Sequence, residues 1–250
     1  MKSVFTLFRK ELKSYFFSPI AFIVLFVFLV ISGIFFFLYL QSFAEAQFDP
    51  RLQFVEEAAN LNEIVIRPFF GTIGVVLLLL IPLITMRLIA DERKSFTSEL
   101  LFTSPVRITS IIIGKYLASL LLFGIMIILS VAYILVLIKY GNPDLGPIFS
   151  GYLGLFLMGA SFLAVGIFAS ALTENQMIAA VISFGILLVF WIMGATSSAG
   201  DSVLGYLSII NHFENFAKGV IELKDVIYYL SFIFLGLYLA YISLDSERWK

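Results

Sequence analysis

The residues able to do chemistry in this 250-residue sequence crowd into one stretch, "ADERKSFTSELLFTSP", Ala90 to Pro105. Asp91, Glu92, Arg93, Lys94 and Glu99 stand there among the hydroxyls of Ser95, Thr97 and Ser98, beside the apolar Leu100, Leu101 and Phe102. Mixed carboxylates and cations around a short apolar patch suit docking on a partner, because the apolar side fits a groove while the charges fix register and partner choice. Catalytic and metal chemistry lack their equipment. Cysteine is absent, His212 is the only histidine, and neither His-Glu-x-x-His nor Gly-x-Ser-x-Gly occurs. The phosphate loop Gly-x-x-x-x-Gly-Lys-[Ser/Thr] is missing as well, so the chain reads as no enzyme and with no cofactor of its own. If it performs work, another subunit must supply the energy.

The elements that must position this stretch are hydrophobic. The sequence is 61% hydrophobic and 13% charged, against about 45–50% and about 25% in soluble domains. A net charge of −1 offers no basic field for nucleic acid, which is not an expected partner. Six apolar segments, at about 20–40, 68–86, 111–138, 149–172, 177–194 and 226–244, approach the roughly 20 residues that a hydrocarbon core demands of a helix. They lack barrel-type alternation, and a spanning backbone must satisfy its own hydrogen bonds, so they should be helices. The expected fold is an all-α membrane protein: one domain over residues 1–250, built as a six-transmembrane-helix bundle.

Lys and Arg set the orientation. With the N-terminus inside, the inner segments hold ten: Lys2, Arg9, Lys10, Lys13, Arg87, Arg93, Lys94, Arg107, Arg248 and Lys250. The outer segments hold five, Arg51, Arg67, Lys139, Lys218 and Lys224, so the positive-inside bias places both termini in the cytoplasm of a multi-pass inner-membrane protein. Residues 87–110 are then a cytoplasmic loop and 195–225 an extracytoplasmic one. Ala44-Glu45-Ala46 has the form of a signal-peptide cleavage site. The preceding apolar run is too long for a signal core of about 7–15 residues, and the first helix is expected to stay.

Residues 1–18 carry helical two-sidedness, with Val4, Phe8, Leu12, Tyr15 and Phe16 on one face and Lys2, Thr6, Arg9, Lys10 and Lys13 on the other. Such a helix lies in the headgroup layer of membrane lipid. Ser18-Pro19 turns the chain into the first span, and Ser104-Pro105 has the form of an N-cap and first helical position for the third. Within the six apolar segments Lys115 is the only charged residue, so the intramembrane relay that ion-coupled carriers use is missing.

On these residues the sequence resembles a known family. "PLITMRLIADERKSFTSELLFTSPVRITSIIIGKYLA", Pro82 to Ala118, is similar to the segment between the second and third helices of ABC-2-type transporter permeases, through Met86-Arg87, Asp91-Glu92, Thr97 and Glu99 before Leu100-Leu101, Ser104-Pro105 and Gly114-Lys115. "FRKELKSYFFSP" looks like that family's N-terminal amphipathic elbow helix, and Asn211 to Leu230 is similar to the approach to the sixth helix in the gliding-motility-associated branch. Phe96 stands where relatives commonly carry glycine. The resemblance implies a permease subunit with a cytoplasmic coupling helix, working as a dimer with a copy or a sister permease, on two ATPase subunits that bind ATP and Mg. It implies ATPase contacts at Asp91, Glu92, Arg93, Lys94, Thr97, Glu99 and Leu100, with the elbow adding Arg9, Glu11 and Lys13. The function expected is coupling of ATP hydrolysis to export of a hydrophobic or polymeric substrate. The alternatives are an assembly doing mechanical work or protein secretion without solute transport, and a passive channel or scaffold.

Three further features carry expectations. The fourth span is rich in small residues, including Gly151, Gly154, Gly159, Ala160, Ser161, Ala164, Gly166 and Ser170, which permit close helix approach. This face is either a dimer seam or internal packing, and internal packing comes first because every bundle needs close contacts. Pro82 should kink the second span. Outside, a short helix is expected near 53–64, and "HFENFAKGVIELKD" alternates as a segment resting at the interface would, with His212 and Glu214 as candidate contacts for a substrate or an extracytoplasmic partner.

Overall fold

The computed structural model describes residues 2–48, 60–95, 107–196 and 203–247. The chain opens with the elbow α1 (Lys2–Phe17) and turns at Ser18 into α2 (Pro19–Phe48). Proline takes the first helical position, where its missing N–H costs nothing, and Ser18 Oγ accepts the Ile20 amide at 3.4 Å. A π-helical turn at Asn62–Ile66 leads into α3 (Arg67–Thr85), and α4 (Ala90–Lys94) is a single turn of helix. The remaining elements are α5 (Ile108–Gly141), α6 (Leu145–Ala171), α7 (Gln176–Thr196), α8 (Val203–Leu207), α9 (Ile209–Ala217) and α10 (Leu223–Glu247). Among the described residues six helices, α2, α3, α5, α6, α7 and α10, are long and apolar enough to cross a membrane. Their alternation puts α1, α4, the α6–α7 turn and the end of α10 together at one end of the bundle, called here the elbow end.

The core is built around α6, which packs against α3, α5, α7, α9 and α10. Its small residues do this work. A Cβ on Gly154 would lie 2.6 Å from Phe216 Cβ of α9. Cβ atoms at Gly151 and Gly166 would enter Phe70 and Thr85 of α3, and one at Gly159 would enter Phe123 of α5. From the other side Gly236 of α10 comes so close that its Cβ would meet Ala164 Cβ at 3.0 Å. The small-residue face of the fourth span is therefore internal packing, with aromatic knobs filling the space that glycine leaves.

Several expectations need correcting. The helix α2 runs on to Phe48, beyond the apolar run, with Tyr39 hydroxyl 2.7 Å from Thr72 Oγ1 and Gln41 donating to Glu45. Asn62 to Ile64 belong to the lead-in of α3 rather than to a separate short helix, and the rest of the 53–64 segment lies outside the described residues. Described helix in the third span starts at Ile108, after an extended Arg107 (φ −73°, ψ 139°), and Ser104-Pro105 lies outside the described residues. The alternating outer segment is at the surface only in its second half, where Lys218 to Ile221, Leu223 and Lys224 are exposed. Its helix α9 buries Ile209, His212, Phe213 and Phe216 against the bundle, and only the edge bearing Glu214 and Lys218 faces out. Pro82 sits inside α3, buried, one turn before the helix ends.

Gly159→Ala should overpack the α5–α6 contact and cost about 1–3 kcal/mol. Gly185→Ala, whose Cβ meets nothing within 4 Å, should be neutral or slightly stabilising. Thermal unfolding of the detergent-solubilised protein compares the two.

Candidate functional site

At the elbow end, α1 crosses α5 with little between them. A Cβ on Gly114 would stand 2.9 Å from Leu7 Cβ and 3.2 Å from the Val4 carbonyl oxygen, so the glycine lets the two backbones meet. This contact brings Lys115 under the elbow. Its Nζ donates to Glu11 Oε1 of α1 at 2.9 Å and to the Leu88 carbonyl, in the turn before α4, at 2.6 Å, and lies 3.0 Å from Glu92 Oε2 of α4. An ammonium has three donors, and all three have acceptors. Lys10 adds a second cation 3.1 Å from Glu92 Oε1, so two acids face two bases and the cluster is neutral. Lys115 is 1% exposed, and removal of either charge type would leave a buried ion uncompensated, at about 3–5 kcal/mol.

A second set of contacts ties the neighbouring turn to other helices. Ser170 Oγ, at the end of α6, accepts the amides of Ile89 and Ala90 at 3.0 and 3.1 Å and donates to the Met86 carbonyl at 3.0 Å. It thereby caps α4, whose N-terminal amides have no intrahelical partner. Asp91 accepts from Gln176 of α7, and Arg93 donates to the Ala171 carbonyl of α6. Burial lowers the pKa of the Arg93 guanidinium from its usual value, with the Glu174 charge opposing. Arg87 stacks 5.0 Å from the Tyr15 ring centroid and donates to Ser18 Oγ at 3.3 Å, while the Tyr15 hydroxyl donates to the Ile84 carbonyl. Burial lifts the Tyr15 pKa well above its usual value, against the pull of Arg87, so the phenol keeps its proton for that bond. Tyr15, Arg87 and Asp91, with Glu11, Glu92 and Lys115, line a polar cavity of about 370 Å³ between α1 and the α3–α4 turn.

The residues expected at a partner interface thus divide. Glu92 and Arg93 are drawn inward, Asp91 is exposed yet bonded to α7, and Lys94 is exposed at the tip. Thr97, Glu99 and Leu100 lie outside the described residues. On the elbow, Glu11 is buried against Lys115 while Arg9 and Lys13 are exposed. The sequence marks Lys115 as the lone charge in the spans but does not reveal its partners Glu11 and Glu92. The signal lay in α1: Val4, Phe8, Glu11 and Tyr15 share one helical stripe, and an acid in an apolar stripe needs a buried partner.

His212 and Glu214 lie at the opposite end. His212 Nε2 lies 2.9 Å from the Tyr206 carbonyl oxygen, and Nδ1 lies 2.6 Å from Asp225 Oδ1. Asn215 Nδ2 donates to the other Asp225 oxygen at 2.9 Å, and the Tyr228 ring stacks on the imidazole at 4.0 Å. His212 is 6% exposed and Asp225 fully buried, so this group latches α8 and α9 to α10. Glu214 is exposed and lies 3.4 Å from Lys218 and 3.9 Å from Arg67. Asp225→Ala should cost on the order of 3 kcal/mol by orphaning the His212 and Asn215 donors. Thermal unfolding checks this, and Glu214→Ala, on the exposed edge, should change it little.

The geometry is that of a helical membrane bundle whose charged loop is wired into four of its own helices, with no nucleotide loop of its own. The family model for ABC-2 family transporter proteins matches residues 5–244. No curated protein matches the sequence. ABC-2 permeases are the membrane subunits of ABC transporters and work with ABC ATPase subunits. This multi-pass membrane chain belongs to the ABC-2 transporter family.

Proposed function

We propose that the chain is the permease subunit through which a separate ATPase drives export of a hydrophobic or polymeric substrate, and that the elbow end is where the drive enters. The observation that carries the reading is the fixing of α4 to α5 through Lys115, to α6 through Ser170, to α7 through Gln176 and to α1 through Lys10. A push on a solvated connector would be lost in the loop. A push on α4 reaches four helices directly. The Lys and Arg balance supports an inner-membrane orientation in which this end and both termini face the cytoplasm.

In this reading two ATPase subunits bind ATP and Mg and dock on the loop at Asp91, Lys94, Thr97, Glu99 and Leu100, while Glu11, Glu92 and Arg93 pass the displacement inward. A second permease, copy or sister, completes the pathway. The apolar cores of the spans carry no charge except the fully engaged Lys115, which favours apolar or polymeric cargo over small ions. Glu214, held at the surface by the His212 latch, is the residue offered to an outer partner or substrate. A second reading, mechanical work or secretion with no solute crossing, rests on the resemblance of Asn211 to Leu230 to gliding-motility proteins.

Extraction in mild detergent, identification of what co-purifies and an ATPase assay on the complex test the proposal. A stoichiometric phosphate-loop ATPase is expected. Glu99→Lys should cut its retention or stimulated turnover at least about tenfold, equivalent to roughly 1.4 kcal/mol, without lowering the unfolding temperature. Lys115→Met should leave the ATPase bound but uncoupled, and should lower the unfolding temperature. A chain that emerges alone and inert would favour a channel or scaffold instead.

A further inference from the structure

Beside the α1–α5 crossing the surface opens into a groove of about 700 Å³ whose lining is entirely apolar. Phe5 and Phe8 of α1, Leu117, Leu121 and Ile128 of α5 and Phe156 of α6 form its walls. From Leu117 to Ile128 it rises about 16 Å along α5, at about 1.5 Å per residue. That equals the depth of one leaflet, about half of the roughly 30 Å hydrocarbon core. Gly124 lies in the groove, and a Cβ there would meet nothing within 4 Å.

Phe5 also lines a second hollow of about 520 Å³, with Thr6, Arg9, Lys10 and Lys13. No acid borders it. Lys10 reaches away to Glu92, whereas among the described residues Arg9 and Lys13 make no ion pair. They are four residues apart and so share a face of α1. A basic hollow thus opens at the mouth of an apolar groove one leaflet deep, with one aromatic side chain common to both. Another apolar helix laid in the groove would leave the two cations without a counter-charge.

We propose that an anionic glycerophospholipid binds here, with one acyl chain along α5 between Phe5 and Ile128 and its phosphate held by Arg9 and Lys13. The guanidinium donates to two phosphate oxygens through its fork and the ammonium acts as a point charge. The lipid holds α1 against α5 from the side opposite Glu11. This site goes beyond the coupling role and does not depend on it.

Native mass spectrometry of the full chain, purified with whatever subunits accompany it, tests the proposal with equal amounts of phosphatidylglycerol and phosphatidylcholine of identical acyl chains. The wild type should retain phosphatidylglycerol over phosphatidylcholine by at least about fivefold. Arg9→Gln with Lys13→Gln should abolish that preference. Gly124→Leu, whose Cβ enters open space in the groove, should lower retention of both lipids at an unchanged unfolding temperature. The proposal is overturned if the wild type shows no preference, if the double variant keeps it, or if Gly124→Leu still holds phosphatidylglycerol. It is overturned too if Gly124→Leu splits a permease dimer with lipid retention intact, or if the double variant loses only a bound ATPase. The first would give the groove to a second copy, the second the cations to ATPase docking.

Discussion

Lys115 puts a positive charge on a helix that otherwise offers hydrocarbon, and the elbow end of the bundle is arranged around neutralising it. A charge in that position must find its counter-ions within the protein. The acids come from two directions, Glu11 on the elbow and Glu92 on the short helix after α3, and the Leu88 carbonyl takes the remaining donor. Gly114, one residue earlier, removes the side chain that would hold α1 away. Three elements distant in sequence are thereby fixed to one atom, and none can be displaced far without exposing an unpaired ion.

The same logic explains why the charged loop is not a loose connector. Hydroxyl and amide side chains on the ends of α6 and α7 complete what the ion cluster begins, with Ser170 capping α4 and Gln176 holding Asp91. The other end of the bundle uses a different device, a buried histidine and aspartate that pin two short helices onto α10. Between the two ends, the glycine face of α6 lets aromatic side chains from three helices pack to its backbone. Rigid packing in the middle suits a subunit that must carry a displacement from one end toward the other.

How much of this the sequence disclosed depends on the range of each interaction. The spans were readable because continuous apolar runs are a local property, and the elbow because its two faces alternate within a few turns. Ser18-Pro19 was readable as a turn for the same reason. The Lys115–Glu11 pair joins residues 104 apart in sequence, and no local pattern encodes such a distance. Ser170 looked like one more small residue in a packing stripe, while its hydroxyl is the cap of a helix 80 residues earlier. His212 drew attention as a lone outer histidine, but its partner Asp225 sits at the start of the next helix, where sequence places it in the loop. Family resemblance, carried by Met86-Arg87, Asp91-Glu92 and Gly114-Lys115, bridges part of that gap, since a family's shared pattern stands in for contacts that a single chain does not spell out.

The central claim is that α1, α4 and α5 move as one body because Lys115 joins them. The chain has no cysteine, so spin labels at Phe17→Cys and Ser95→Cys, the latter at the end of α4, report the α1–α4 separation with no other label on this chain. The most direct measurement is their distance distribution in the ATPase-bound assembly, without nucleotide and with a trapped ATP analogue. One narrow, unchanged distribution in both states, broadened by Lys115→Met or Glu11→Gln, is the result the account predicts. A separation that changes with nucleotide in the otherwise native protein, or that stays narrow without Lys115 or Glu11, would contradict it.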